Sequence, residues 1–199
     1  MALNQLAACL GADGKPSAMT FKVTSQFVTQ RAFGLPKDTL DAFMVVAGVT
    51  PYEIPNTRHE VVIHDTGLRA GYWRSVSHAI NAFANESFVD EMAAAAGKDP
   101  YAYRMAMLEK QPRFANVLRL VAERSGWEKP APAGRFRGIA LMDGYDTYLA
   151  QVVEISVENN QITVHKMTVV EPWLHGQPGY RAGTNHVQCC LRHVGRAEQ

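Results

Sequence analysis

Hydrophobic and polar positions change their period twice along this chain. From Met19 to Val28 the residues MTFKVTSQFV alternate apolar with polar, as a strand with one buried face does. Asp13 and Gly14 mark a turn before it, and HEVVIHD, His59 to Asp65, predicts another short strand. From about His78 to Ala96 the spacing becomes helical: Ile80, Phe83, Ala84, Phe88, Met92 and Ala95 fall near one face, and Gly97 predicts the stop. A second helix has a start signal in Asp99, which can cap free amides, and Pro100, whose missing N–H costs nothing there. YAYRMAMLEK carries its pattern until Pro112 begins a third helix, which Gly126 closes before the proline-rich link EKPAPAG. From Phe136 the period returns to two. Val153, Ile155 and Val157 share the face expected to be buried, Asn159 and Asn160 form the turn, and Ile162, Val164 and Met167 return. The pattern predicts an α+β fold: mixed strands, a block of about three helices, then a β-hairpin.

Composition narrows the function classes. With 199 residues, 47% hydrophobic and 20% charged, the chain can bury a globular core. Its net charge is +1, with 20 Lys and Arg spread among 19 acids, so no clustered basic stripe exists to bind nucleic acid. No apolar run reaches the length that crosses a bilayer. The opening MALNQLAACLGADG lacks the basic-then-apolar order of a signal peptide, and the compartment, cytoplasm or periplasm, stays open. Three cysteines, Cys9 and the adjacent Cys189 and Cys190, are too few and too badly spaced for a disulfide framework. There is no internal repeat, glycine-rich phosphate loop or paired-histidine metal helix.

Candidate chemistry gathers at GYWRSV, where Gly71, Tyr72, Trp73, Arg74, Ser75 and Val76 run straight into the first long helix. One reading is a ligand cradle, because the first amides of a helix are unpaired and suit anionic groups. The other is a packing corner with a solvated guanidinium. Glu86, Asp90 and Glu91 share a helix and either supply a carboxylate to a site or form a solvated face. The sequon Asn85-Glu86-Ser87 lies inside that helix and is read as accidental. His59, His64 and His165 stand in strand contexts and read as satisfied structural histidines. HVQCCLRH offers His186, Cys189, Cys190 and His193 at short spacing, but adjacent cysteines do not converge on one ion without strain and no second half-site exists. No metal site and no catalytic residue is assigned.

Several words in series carry a family resemblance: YEIPN at Tyr52 to Asn56, HDTG at His64 to Gly67, GYWRSV, NAFANESFVDEMAAAAGKDPYAYRMAML from Asn81 to Leu108, and PRFANVLRLVAERSGW ending at Trp127, followed by GRFRGIAL and AQVVEISV. They resemble the large, molybdopterin-binding subunit of the xanthine oxidase and aldehyde oxidase family, of the isoquinoline 1-oxidoreductase beta-subunit type. The resemblance implies a partial molybdopterin-binding domain over residues 1–170. It also implies a molybdenum cofactor in the full-length subunit, a small aldehyde or N-heterocyclic substrate, and an iron–sulfur small subunit as partner. On it, Gly71, Tyr72, Trp73, Arg74, Ser75 and Val76 become cofactor-binding candidates: helix-start amides and the Arg74 side chain would meet oxygens while Trp73 excludes water. The family commonly has glycine where Ser77 stands, so a need for close backbone approach there would weaken binding.

The resemblance breaks at the tail. Family members continue into a segment of the form DCGxxVNPDxVxxQI, whereas this chain reads EPWLHGQPGYRAGTNHVQCCLRHVGRAEQ. Codons for that tail, shifted by one base, permit TVNPDIVRAQI in the adjacent frame. Residues 171–199 are therefore expected to be out of frame after a base change near Glu171 or Pro172, and the chain to be a fragment that is inactive alone. The alternative is a free-standing, non-catalytic α+β binding module with its helical block as the contact surface.

Overall fold

The computed structural model describes residues 2–36, 39–68, 71–145, 147–172 and 187–189, in two compact units, Met1–Met107 and Leu108–Gln199. The α+β expectation holds, with helices and strands mixed in each unit.

The first unit is built on a three-stranded sheet. β1 (Ala2–Leu10) runs antiparallel to β2 (Pro16–Ser25), and β3 (Asn56–Ile63) lies parallel to β2 with His59 opposite Phe21. The expected turn closes the first hairpin: Gly14 donates to the Gly11 carbonyl at 2.9 Å with φ +77°, a conformation that costs glycine nothing. Alternation along β2 buries Met19, Phe21 and Val23, as the sequence pattern predicts. A parallel neighbour needs a crossover. Here it carries the short helix α1 (Thr29–Phe33) and a 3-10 turn, Ala42–Met44. Asp41 ties both together, accepting from the amides of Val28 (2.8 Å), Thr29 (2.7 Å) and Phe43 (3.1 Å) and from the Thr29 hydroxyl (2.6 Å).

α2 (His78–Ala95) packs against β1 and against α3 (Pro100–Met105). Its stop and the next start are as expected: Gly97 has φ +63°, and the Asp99 carboxylate caps the Ala102 amide at 2.9 Å with Pro100 in the first turn. Its buried face is the expected one only at Met92. Ile80 and Phe83 are exposed (42% and 75%), while Asn81, Asn85, Glu86, Val89, Met92 and Ala93 are buried. Apolar residues surround this helix, so their spacing selects no side, and the polar partners described below do. α3 also ends earlier than its pattern suggests, because Met107 and Leu108 turn inward and are buried.

The second unit sets α4 (Pro112–Ser125) on a four-stranded antiparallel sheet in the order β4 (Phe136–Gly144), β5 (Thr147–Glu158), β6 (Gln161–Pro172), β7 (Val187–Cys189). α4 is amphipathic, burying Phe114, Val117, Leu118, Val121 and Ala122, and ends at Gly126 with φ +74°, as predicted. Asn159 and Asn160, both at positive φ (50° and 61°), make the expected two-residue hairpin turn. The expected face is reversed: Ala150, Val152 and Ser156 are buried with Ile139 and Leu141, while Val157 is 50% and Ile162 68% exposed. β5 is apolar on both sides, so a period of two fixes alternation without choosing a side. Packing of α4 on β5 and β6 makes the choice.

Candidate functional site

The segment GYWRSV forms an irregular turn pinned to the start of α2. Val76 donates its amide to the Trp73 carbonyl (3.0 Å), and His78 donates its amide to the Ser75 carbonyl (2.9 Å). The His78 ring is also 3.0 Å from that carbonyl, which fixes the proton on Nδ1 because the oxygen can only accept. Ser75 and Val76 adopt left-handed φ values of 62° and 48°. Two consecutive non-glycine residues there, one β-branched, are strained by about 1–3 kcal/mol each.

Behind this turn α2 is held by side-chain amides. Asn81 Nδ2 donates to the carbonyls of Met44 (2.8 Å) and Val46 (2.9 Å), and Asn85 Nδ2 to those of Ala47 (2.6 Å) and Gly48 (3.1 Å). The Ser77 hydroxyl donates to the Phe43 carbonyl. These bonds satisfy carbonyls of a loop that has no ladder of its own, and they explain why a polar stripe of α2 faces inward. Asn85 is buried and bound, so its sequon is not presented for glycosylation. A Cβ at Gly48 would lie 2.8 Å from Phe21 Cε1, so the loop comes this close only with glycine.

Deeper in the unit, the carboxylates read as either catalytic or solvated serve another purpose. Arg104 is fully buried; its Nε lies 3.0 Å from Glu86 Oε2, its Nη1 2.6 Å from Asp90 Oδ1, and its Nη2 3.0 Å from the Glu86 carbonyl. The Tyr52 hydroxyl donates to Glu86 Oε1 at 2.9 Å. Burial opposes the charge on Arg104, but Tyr52, Glu86 and Asp90 outweigh it and hold the guanidinium more firmly protonated than usual. Burial, then the Glu86 charge, pushes the Tyr52 phenol well up. Glu86 and Asp90 thus join α2 to α3 and the Tyr52 loop, and only Glu91 keeps the exposed position read for it. The structural reading of the histidines holds at His165, whose Nε2 is 2.7 Å from Ser156 Oγ. At His59 the ring packs beside Phe21 (centroids 6.3 Å), but its Nδ1 is buried without a partner among the described residues, and burial lowers its pKa.

A cleft of about 430 Å³ opens beside the turn. Gly71, Trp73 and Val76 of the predicted segment line it, together with Ser77 just before α2, Ile80 and Asn81 of α2, and Val23, Ser25 and Gln26 at the end of β2. The other three predicted residues face elsewhere. Tyr72 meets Phe33 and Phe43 edge-on (ring centroids 6.3 and 5.9 Å), and the Ser75 hydroxyl donates to the Arg74 carbonyl (2.6 Å). Arg74 is exposed, with no hydrogen bond or ion pair to its guanidinium among the described residues. Helix-start amides expected to be open are in part taken, those of Val76, His78 and Ile80 bonding to the carbonyls of Trp73, Ser75 and Ser77. Ser77 has an ordinary φ of −78°, so its backbone conformation does not demand glycine. Ser25, Gln26 and Met44, which line the cleft, carry no sequence signal beyond the place where the β2 alternation stops.

Among the described residues no group of three or more His, Cys, Asp or Glu is placed to hold a metal ion, and no helix is long and apolar enough to cross a membrane. His186, Cys190 and His193 lie outside the described residues, as does most of the 171–199 tail; β6 continues to Pro172 and pairs with Val187–Cys189.

Over part of their length, the chain is similar in sequence to large subunits of the xanthine oxidase type, and in fold to a solved structure. The beta chain of isoquinoline 1-oxidoreductase from Brevundimonas diminuta is 30% identical over 122 residues, 60% of this chain and 16% of that protein. Nicotinate dehydrogenase B of Pseudomonas putida is 40% identical over 82 residues, 40% of this chain and 7% of that protein. A membrane-bound aldehyde dehydrogenase (pyrroloquinoline-quinone) of Gluconacetobacter polyoxogenes is 26% identical over 162 residues, 69% of this chain and 21% of that protein. In fold, the chain is similar to the crystal structure of quinoline 2-oxidoreductase from Pseudomonas putida 86, with a TM-score of 0.51 at 15% identity over 75% of this chain and 21% of that one. No family model matches. The chain spans about a fifth or less of each of these proteins.

Proposed function

We propose that the chain contributes one wall of the molybdopterin pocket in the large subunit of a molybdenum hydroxylase, and that it is inactive alone. The observation that carries this is GYWRSV itself, placed at the start of α2 with Arg74 and Trp73 both exposed. The residues present fit one edge of an anionic pterin: Arg74 offers a cation not engaged by the described residues, and Trp73 a hydrophobic screen. When bound, such a group supplies the two-electron oxidation of an aldehyde or of a carbon beside a ring nitrogen. The protein's part is position: Asn81, Asn85 and the Arg104 cluster hold α2, α2 holds the turn, and the turn aims Arg74.

Residues 1–170 then form part of the pocket domain, residues 171–199 an out-of-frame tail, and an iron–sulfur small subunit the electron partner. Uncovered apolar surface supports the fragment reading, since Phe136 (60%), Val157 (50%) and Ile162 (68%) lie on the sheet face that α4 leaves open. A second reading, a non-catalytic binding module, is favoured by the cleft alone, whose lining includes no charged side chain among the described residues.

Metal analysis tests the inactivity of the isolated chain, and cooperative unfolding as a monomer or defined oligomer would favour the second reading instead. The purified chain is expected to hold no molybdenum, and stoichiometric molybdenum with substrate oxidation by this polypeptide unaided would overturn the proposal. In a full-length subunit carrying this segment, Arg74→Ala is expected to lower turnover strongly with unchanged melting; unchanged kinetics would remove Arg74 from the pocket. Sequencing the locus tests the tail: the proposal needs VNPDIVRAQI in the adjacent frame.

A further inference from the structure

We infer that Gly71–Val76 is a strained strap, which closes Trp73 over the cleft when an uncharged apolar group enters it. The inference goes beyond the cofactor reading and does not need it, because the cleft and Arg74 are separate features of the turn. Four observations converge. Among the described residues the lining of the cleft is apolar apart from Ser25, Gln26, Ser77 and Asn81 and carries no charged side chain, so it suits a neutral occupant rather than a phosphate. Trp73 lines the cleft and is nevertheless 84% exposed, so most of a large apolar surface stands in water beside an apolar hollow.

The segment also has a pivot at each end. Gly71 is unpacked among the described residues, a Cβ there meeting none of them within 4 Å, while Ser75 and Val76 hold left-handed φ values of 62° and 48°. Immediately beyond, Ser77 and Asn81 tie the chain to the carbonyls of Phe43 and Met44, so the α2 side stays fixed and movement is confined to the strap. Leaving the left-handed region relieves backbone strain, and swinging the indole inward buries apolar area; both favour closure once the cleft is filled. In the open form the strain is stored, held by the bonds from Val76 to Trp73 and from His78 to Ser75.

Ser75→Gly tests this without touching the cleft lining. Glycine removes the penalty for the open form, so the variant is expected to melt higher and to bind a neutral probe, 2-naphthol, roughly five- to tenfold more weakly. Ser75→Ala removes the same hydroxyl and keeps the penalty, and is expected to match the parent in both respects. Closure itself is read by 19F NMR of the chain labelled with 5-fluorotryptophan, the Trp73 signal being assigned with Trp73→Phe. That signal is expected to shift saturably with 2-naphthol and to stay put with anionic 2-naphthalenesulfonate. A Trp73 signal unmoved at saturating 2-naphthol overturns the strap, and so does equal affinity of the glycine and alanine variants. Equal response to both probes overturns the neutral specificity.

Discussion

Replacing Arg104 by Met probes the connection that holds the first unit in register. The guanidinium is fully buried and makes charge-assisted bonds to Glu86 (3.0 Å) and Asp90 (2.6 Å), with further bonds to the carbonyls of Glu86 (3.0 Å) and Pro100 (3.2 Å). Methionine keeps most of the volume and removes every donor. The Glu86 carboxylate, only 9% exposed, then keeps the Tyr52 hydroxyl but loses the cation that balances its charge. Removing one member of a buried ion pair costs about 3–5 kcal/mol, largely because the other charge is stranded.

Asp90 is 41% exposed and can rehydrate, so Asp90→Asn should cost no more than about 1 kcal/mol. Glu86→Gln in the Arg104→Met background should restore about 2 kcal/mol, since it neutralises the stranded group. The assay is native-state hydrogen exchange in low urea at the α2 amides of Val89 and Met92, which report opening of the Met1–Met107 unit. A loss below about 1 kcal/mol for Arg104→Met, or strict additivity with Glu86→Gln, would show that the cluster is not a coupled, desolvated network.

Two further outcomes test the supports of the cleft. Gly48→Ala should lose about 1–3 kcal/mol by overpacking, as its Cβ meets Phe21 Cε1 at 2.8 Å and the Val45 carbonyl at 2.9 Å, whereas Gly71→Ala, with nothing within 4 Å, should stay within about 0.5 kcal/mol; thermal melts compare them. Asp41 gives a pH dependence: burial works to raise its pKa, but the Thr29 hydroxyl and the amides of Thr29, Val28 and Phe43 prevail and lower it. Its contribution is therefore present above the ordinary carboxylate value of about 4 and lost as pH falls through the lower folded value. Parent and Asp41→Asn should differ in urea midpoint from pH 7 to 5 and converge below about pH 4; a constant gap would contradict the assignment.

By itself the sequence determined the elements whose causes are local. Asp99 with Pro100, Gly97, Gly126 and the Asn159–Asn160 turn are legible because a cap or a left-handed residue acts within a few positions of itself. GYWRSV was legible as a candidate for the same reason, as residues of unusual chemistry set directly before a helix.

Only the tertiary structure decided which face each element turns inward. α2 carries apolar residues all round and β5 on both sides, so their patterns leave the direction open. The carbonyls of Met44 to Gly48 then draw in Asn81 and Asn85, and α4 draws in Ala150 and Val152. The fate of Glu86 follows the same rule. A carboxylate on a helix reads as solvated until an arginine 18 positions away arrives beside it, and that separation is beyond the reach of any local pattern.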